Sequence, residues 1–288
     1  MNHRTLKLPA TLALTALLSL LFTSALHAQV IPHFHLAAGA ASTAPGSQLQ
    51  LIAADNFLAA SGYAVVMTLR TNPPTVGYHM GGPTFTAAEG DGTEGPPAAG
   101  GAQLWLVVRA VDGPTGGRWA FWEAGPDEGY GTSITFSYAT GTTNGTNAFI
   151  LSQTDFAPNP YGHIHGRAFT GDKPGLYTVW VQLVDRSRAG PGGGPIHAPS
   201  PIYRFYYQAG TTIARLAKSP SQVTATFATL NSNAARQYSY YLEAAPTPEA
   251  DTPWTTVAGP LRGNNRIGTL TALAGDPNQF YRLRVTSP

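Results

Sequence analysis

The chain has 288 residues, of which 11% are charged, and it contains 32 glycines, 24 prolines and no cysteine. Without cysteine there is neither a disulfide framework nor a thiolate metal site, so any metal ligand has to be histidine, a carboxylate or, for copper, methionine. The 17 Lys and Arg residues face 15 Asp and Glu residues, which leaves no basic stripe for nucleic acid and no basic amphipathic helix for a membrane surface.

Residues 1–28 have the pattern of a secretory signal peptide. Arg4 and Lys7 give a basic start, residues 8–22 are an apolar run, and cleavage is expected after Ala28. The mature chain would carry 15 Lys and Arg against 15 Asp and Glu, with no other apolar stretch long enough to span a bilayer. We therefore expect a nearly neutral, exported protein located in the periplasm or outside the cell.

Short runs of alternating apolar and polar residues, separated by Gly and Pro turns, predict an all-β protein. Residues 176–185 are the clearest case, because alternate side chains from Tyr177 to Leu183 would face one way and Trp180 and Gln182 the other. So many short strands favour a β-sandwich of jelly-roll type over a barrel. Further strands are expected in residues 47–54, 63–71, 102–111, 118–125, 132–140, 147–153 and 202–210.

A change in strand spacing near residue 210 predicts two domains. Residues 29–210 would form the main β-sandwich, and residues 211–288 a smaller one with a modest core. All histidines of the mature chain fall in the first of these domains. Any histidine chemistry is therefore expected there.

Two His-x-His pairs, His163 with His165 and His33 with His35, point to metal binding. On a strand, residues i and i+2 project from one face roughly 7 Å apart, so both imidazoles can reach one ion. Six mature histidines placed at random would give roughly 0.14 such pairs, and the sequence has two. Zinc is the expected ion, with copper as second choice.

Two single histidines, His79 and His197, complete the candidate ligand set because each lies beside glycines. The alternative for each is an ordinary histidine that is solvated or hydrogen-bonded to a carbonyl. Met80 is expected to pack, although a thioether would matter for copper. Asp172 and Asp185 are candidate acceptors for the second ring nitrogens of the ligands.

Aromatic residues offer a different kind of site. Trp119, Phe121 and Trp122 cannot all point inward, because neighbours on a strand alternate, so one of them is expected on an exposed face. Such a ring would stack on a sugar or fill an inter-sheet or inter-domain contact. The motifs H-E-x-x-H and G-x-S-x-G and a cysteine nucleophile are all missing, which favours a binding protein over an enzyme.

The run "PYGHIHGRAFTGDKPGLYTVWVQLVD", with "AFWEAG" before it and "GGGPIHAPS" after it, resembles a group of exported bacterial proteins. These share a Gly-His-x-His stretch followed by Pro-Gly-x-Tyr-x-Val, and they include surface-anchored repeat domains and PEP-CTERM proteins repressed by the zinc-uptake regulator. The resemblance covers about residues 30–210. It implies a β-sandwich and a link to zinc through His163 and His165, with His33 and His35 as further candidates.

The segment from "YYLEAAPTPEADTPWTTVAGP" to "QFYRLRV" is similar to a β-sandwich appended to many large exported proteins of environmental bacteria. That resemblance implies an accessory or presentation role. The sequence ends in "RVTSP", without a PEP-CTERM motif, an apolar anchor or an LPxTG-like signal, so we expect a periplasmic or released protein.

The sequence therefore predicts two alternative functions. The first is an exported metal-binding protein that holds zinc or copper through its histidines. The second is a non-catalytic module that binds a cell-surface polysaccharide or protein through exposed aromatic residues, with histidines that serve the structure.

Overall fold

The computed structural model describes residues 35–125, 131–152, 166–230, 237–249, 252–276 and 278–286. These residues belong to one compact unit, His33–Pro288, and their regular structure is almost entirely β-strand. The protein is therefore all-β, as its alternating runs predict. No helix among the described residues has the length and apolar character needed to cross a membrane. The predicted signal peptide lies outside the described residues.

Twelve strands are described before residue 210. They are β1 (His35–Ala40), β2 (Leu49–Leu51), β3 (Ala64–Leu69), β4 (His79–Met80), β5 (Thr84–Ala87), β6 (Leu104–Asp112), β7 (Arg118–Trp122), β8 (Phe136–Ala139), β9 (Ala148–Ile150), β10 (Ala168–Gly171), β11 (Gly175–Asp185) and β12 (Tyr203–Ala209).

Six further strands are described after residue 210. They are β13 (Arg215–Lys218), β14 (Gln222–Ala228), β15 (Ser239–Ala245), β16 (Thr255–Arg262), β17 (Ile267–Leu273) and β18 (Phe280–Thr286). Short 3₁₀ turns occur at Asp55–Phe57, Ala59–Ser61 and Pro191–Gly193.

The first twelve strands form two sheets. Nine of them pair in the order β8-β7-β10-β4-β3-β12-β11-β6-β9, and the other three in the order β2-β1-β5. All neighbours are antiparallel except β3 with β12 and β1 with β5, which are parallel. Antiparallel sheets of this kind bury one face and leave the other accessible, which fits the alternating sequence.

Strand β11 shows how the alternation orients side chains. Tyr177, Val179, Val181 and Leu183 are buried, and the residues between them are half-buried. The sequence-based prediction for this strand is therefore confirmed. Since β11 lies between β12 and β6, its inner residues pack in the core and its outer residues lie on the accessible face of the large sheet.

The core of these sheets is a cluster of aromatic rings. Phe121 on β7 stacks on Phe149 on β9, with ring centroids 4.3 Å apart and planes 8° from parallel. These strands lie near opposite ends of the nine-stranded sheet, so the sheet folds over and its two halves face each other as a β-sandwich. Phe85 on β5 adds the small sheet to this core through contacts with Phe205 at 5.6 Å and Phe169 at 5.9 Å.

The last six strands form a second β-sandwich from the sheets β13-β14-β17 and β16-β15-β18. Its core includes Phe227 and Tyr240, whose rings stack with centroids 5.3 Å apart. This cluster shares no residue with the aromatic core of the larger sandwich. The domain boundary between residues 210 and 211 stays a prediction.

Hydrogen bonds to main-chain carbonyls connect the two sandwiches next to strand β3. The N–H of Ile267 donates to the carbonyl of Gly62 at 2.7 Å, and the guanidinium of Arg266 donates to the carbonyl of Ser61 at 2.6 Å. Tyr63 and Arg266 also form an isolated antiparallel bridge. The second sandwich is therefore held at the start of β3 by more than the covalent connection.

The Tyr177 hydroxyl fixes the turn that leads into β11. It accepts a hydrogen bond from the N–H of Lys173 at 3.1 Å and donates to the carbonyl of the same residue at 3.0 Å. A tyrosine that bonds back to the main chain a few residues upstream is the tyrosine corner of β-sandwich proteins. Burial raises the pKa of Tyr177 to about 12, so the hydroxyl stays protonated and able to donate.

We predict that Tyr177→Phe destabilises the protein by about 0.5–1.5 kcal/mol, because the partly buried hydrogen bonds between the Tyr177 hydroxyl and Lys173 are lost. Denaturant unfolding followed by tryptophan fluorescence measures the change. Tyr206→Phe is the matched control, since Tyr206 lies on the outer face of the adjacent strand and is only half-buried. Equal stability of the two variants would contradict a tyrosine corner that stabilises the fold.

Candidate functional site

The six histidines predicted as metal ligands do not all lie in the described part of the chain. His33, His163 and His165 fall outside the described residues, so the two His-x-His pairs stay predictions. His35 is the exposed first residue of β1, and His79 is buried on β4. Within the ranges that the structure describes, no three His, Asp or Glu side chains come together to hold a metal ion.

Both ring nitrogens of His197 form hydrogen bonds to the main chain, and its role as a metal ligand stays a prediction. Its Nε2 accepts a hydrogen bond from the N–H of Ala99 at 2.9 Å. Its Nδ1 lies 3.1 Å from the carbonyl of Ser47, to which it donates. The ring is buried and joins two distant segments, so a metal ion could bind it only by displacing one of these hydrogen bonds.

Asp185 holds the loop that contains His197. Its carboxylate bonds to main-chain N–H groups and not to an imidazole, so its predicted role behind a metal ligand is not seen in the described residues. Burial alone would raise the pKa of Asp185, but its N–H donors outweigh burial and keep the pKa below its ordinary value. The donors, all within 3.1 Å, are Gln103, Ser187, Ile196 and His197.

Strand β7 buries all of its aromatic residues, which corrects the expectation that one of them is exposed. Trp119 and Phe121 point into the aromatic core, and Trp122 on the other face is only 3% exposed. The Nε1 of Trp122 donates to the Thr170 hydroxyl at 2.8 Å, and Tyr78 packs edge-on against its ring. The side chains of β7 do alternate between two faces, but both faces of this strand are covered.

Aromatic residues are accessible instead on the outer face of strands β6, β11 and β12. Trp105, Trp180 and Tyr206 lie there, and each is half-buried. We call these three residues the aromatic face. Trp180 pairs with Arg204 and Tyr206 pairs with Thr178, so the two rings are diagonal neighbours about 7–8 Å apart at the backbone.

Polar side chains surround the aromatic face and are held in place. A β-bulge between Trp180 and Val181 leaves Arg109 as the extra residue on β6. The Nε of Arg109 donates to the Gln182 side chain at 3.0 Å, and the Gln182 amide donates to the carbonyl of Ser200 at 2.8 Å. These hydrogen bonds make a fixed polar border beside Trp180.

Two arginines cover the edges of the aromatic face and leave Trp180 between them. The guanidinium of Arg186 lies 4.6 Å from the centroid of the Trp105 ring, and that of Arg204 lies 5.7 Å from the Tyr206 ring. Cation–π contacts of this kind orient the guanidinium and keep its N–H groups at the surface. The resulting surface combines flat rings with hydrogen-bond donors, which suits a polar ligand with a flat apolar side.

A buried arginine, Arg167, forms an ion pair with the half-exposed Glu123 two residues after His165 in the sequence. The Nε of Arg167 lies 2.6 Å from the Glu123 carboxylate, and its Nη1 donates to the carbonyl of Ile150. The Arg167 side chain is 6% exposed and packs over the Phe149 ring at 5.3 Å. The ion pair and the hydrogen bond to Ile150 therefore hold the Arg167 side chain in place.

The aromatic face was not predicted as a site from the sequence, although part of its signal is present there. The alternation in residues 176–185 already separates Trp180 and Gln182 from the inward side chains. The position of Tyr206 cannot be predicted in this way, because only the pairing of β11 with β12 brings it next to Trp180.

Comparison with known proteins adds little to this site. No family model matches the chain, and no curated protein matches it. Among solved structures, the FN1–FN3 domains of chicken CNTN1 align with 85% of the chain at 10% sequence identity and a TM-score of 0.19. The alignment covers 60% of that structure, and it supports no conclusion about function.

We predict that His79 makes the protein less stable in mild acid. Burial lowers the pKa of His79 below its ordinary value of 6.5, and the carbonyl of Gly171 opposes this only in part. In mild acid His79 therefore takes up a proton more readily in the unfolded chain than in the folded protein. The free energy of unfolding is highest above about pH 6.5 and decreases as the pH drops toward the pKa of His79 in the folded protein.

Thermal melts at pH 7.5 and pH 5, with a chelator present, measure this effect. The decrease in Tm should be smaller in His79→Gln than in the wild type, whereas His35→Gln, at an exposed position, should keep the wild-type decrease. An unchanged decrease in His79→Gln would show that other groups cause the acid sensitivity.

Proposed function

We propose that this protein is a non-catalytic, exported binding module that recognises a carbohydrate through its aromatic face. The observation that carries the proposal is the placement of Trp180 and Tyr206 as half-exposed diagonal neighbours on the outside of a sheet whose inward aromatic rings are buried. Large aromatic rings usually lie in cores or contacts, so accessible rings in a group favour a binding surface.

The neighbouring polar groups support a sugar as the ligand. A pyranose has a flat face that can stack on an aromatic ring and hydroxyls at its edge that need hydrogen-bond partners. The exposed Arg204 guanidinium and the Gln182 side chain, held by Arg109 and Ser200, lie at the edge of the same surface. The motifs of common hydrolases are missing from the sequence, so we propose binding without catalysis.

We predict that Trp180→Ala weakens glycan binding about three- to tenfold, since loss of an aromatic partner costs about 0.5–1.5 kcal/mol. An array of neutral glycans would select the probe, and calorimetric titration would give its Kd for each variant. Trp254→Ala, the same substitution in the second sandwich, should leave this Kd unchanged. If Trp180→Ala bound the selected glycan as tightly as the wild type, the aromatic face would not be the binding site.

A second candidate function is zinc binding by His163 and His165, with copper as the alternative ion. It is supported by the His-x-His spacing and by the Arg167–Glu123 ion pair two residues after His165. His33, His35, His79 and His197 remain candidates for further ligands. Imidazole binds metal only when neutral, so protons compete with the ion near the ordinary pKa of about 6.5.

We predict that zinc raises the Tm at pH 7.5 and that this increase disappears by about pH 5, because the ion binds the folded state only. Melts with and without added zinc test this at both pH values. His163→Ala and His165→Ala should each remove most of the increase, and Trp180→Ala should keep it. An identical Tm with and without zinc at pH 7.5 would exclude the metal function.

A further inference from the structure

The second sandwich has its own surface of aromatic and basic residues, on the outer face of the sheet β16-β15-β18. Tyr241 and Glu243 on β15 pair with Arg284 and Arg282 on β18. Because alternate residues of a strand share a face, these four side chains lie on the same side of the sheet. We call Trp254, Tyr241, Arg282 and Arg284 the arginine face.

Cation–π contacts hold both guanidinium groups of the arginine face. The guanidinium carbon of Arg282 lies 4.4 Å from the centroid of the Trp254 ring, and that of Arg284 lies 4.2 Å from the Tyr241 ring. A guanidinium stacked on a ring loses much of its freedom before any ligand arrives. The two arginines are therefore oriented in advance.

One carboxylate is shared between the two arginines. The Nε of Arg282 lies 2.9 Å from one oxygen of Glu243, and the Nε of Arg284 lies 2.5 Å from the other. Glu243 is 6% exposed, whereas the arginine side chains are 50% and 38% exposed. The buried carboxylate thus balances only one of two accessible positive charges.

The shared carboxylate leaves N–H donors at the surface. Each guanidinium has five N–H donors, and Glu243 uses only the Nε of each. Arg284 makes one further contact, from Nη2 to the Thr256 hydroxyl at 3.4 Å. Within the described residues, the Nη groups of Arg282 make no other hydrogen bond. A bidentate fork is therefore available to an incoming oxyanion.

The charge of the chain is unevenly distributed along its length. Residues 29–210 contain 8 Lys and Arg against 11 Asp and Glu, whereas residues 211–288 contain 7 against 4. The neutral total therefore conceals an acidic first part and a basic second part. An anionic ligand would be attracted to the second part, and its arginine face is the place where donors are already fixed.

We propose that the arginine face binds an acidic polysaccharide through the carboxylates of its uronic acid units. Arg282 and Arg284 lie two residues apart on one strand, about 7 Å at the backbone, so each can engage a carboxylate on a repeating chain. Phe280, two residues before Arg282 and 45% exposed, adds an accessible ring on the same face. Peptides are usually bound along sheet edges or in grooves, whereas these donors lie on an open face of side chains.

This site is separate from the proposed carbohydrate site of the first sandwich and does not depend on it. The aromatic face has flat rings for neutral sugars, and the arginine face has guanidinium groups for acidic ones. A protein with both would hold one polymer at two places, which increases avidity without any new contact.

Titration with polygalacturonate at low ionic strength tests the proposal. Arg282→Gln should weaken binding about tenfold, because it removes the charge-assisted hydrogen bonds of one guanidinium. Arg215→Gln is the matched control, since Arg215 is exposed on β13 of the other sheet and its loss changes the net charge equally. It should change the affinity less than twofold.

Two further measurements separate recognition by the guanidinium fork from attraction by charge alone. Arg282→Lys keeps the positive charge and is less disruptive to the fold than Arg282→Gln. It should still weaken binding of polygalacturonate severalfold, because an ammonium cannot form the bidentate fork. Fully methyl-esterified polygalacturonate should not bind, since its carboxylates are neutral. Melting curves of every variant confirm that the protein compared is folded.

Several results would overturn the proposal. Equal losses in Arg282→Gln and Arg215→Gln would mean attraction by net charge alone, and full affinity in Arg282→Lys would mean that the fork is not used. Equal binding of poly-L-glutamate would assign the face to acidic peptides. Loss of polygalacturonate binding in Trp180→Ala with retention in Arg282→Gln would place the acidic ligand on the aromatic face of the first sandwich.

Discussion

The stack of Phe121 on Phe149 is the contact on which the larger sandwich depends. These rings come from strands near opposite ends of a nine-stranded sheet, and their near-parallel packing at 4.3 Å closes the sheet over its own core. Phe85 and Phe169 extend the same cluster and attach the small sheet to it. A sheet of this length would otherwise expose its apolar face, so burial of these rings both drives and directs the closure.

Because the inner face of each sheet is buried in a core, the side chains that can contact a ligand lie on its outer face. Once Tyr177, Val179 and Val181 are buried, the period of two along β11 turns Trp180 outward. The same rule on β15 and β18 places Tyr241 and Glu243 beside the two arginines of the second sandwich. Both candidate ligand surfaces are thus the outer faces of sheets whose inner faces form the core.

The polar residues of the core mostly satisfy main-chain groups. His197 and Asp185 bond to segments that follow no regular ladder, including the loop before His197. Buried N–H and carbonyl groups need partners, and loops rich in Gly and Pro cannot supply them from their own main chain. This need gives His197 a structural role, although its residue type and glycine-rich surroundings are also typical of a metal ligand.

The all-β class, most of the longer strands and the orientation of side chains along β11 could be predicted from the sequence, because alternation is a local property that survives packing. It did not reveal β1 or β10, whose residues are buried on both sides and so lose the alternating signal. The sequence did not predict that Trp122 is covered, that both ring nitrogens of His197 bond to the main chain or that Trp180 lies beside Tyr206. Those outcomes depend on which strands become neighbours and on what covers each face, and no local pattern of residues encodes either.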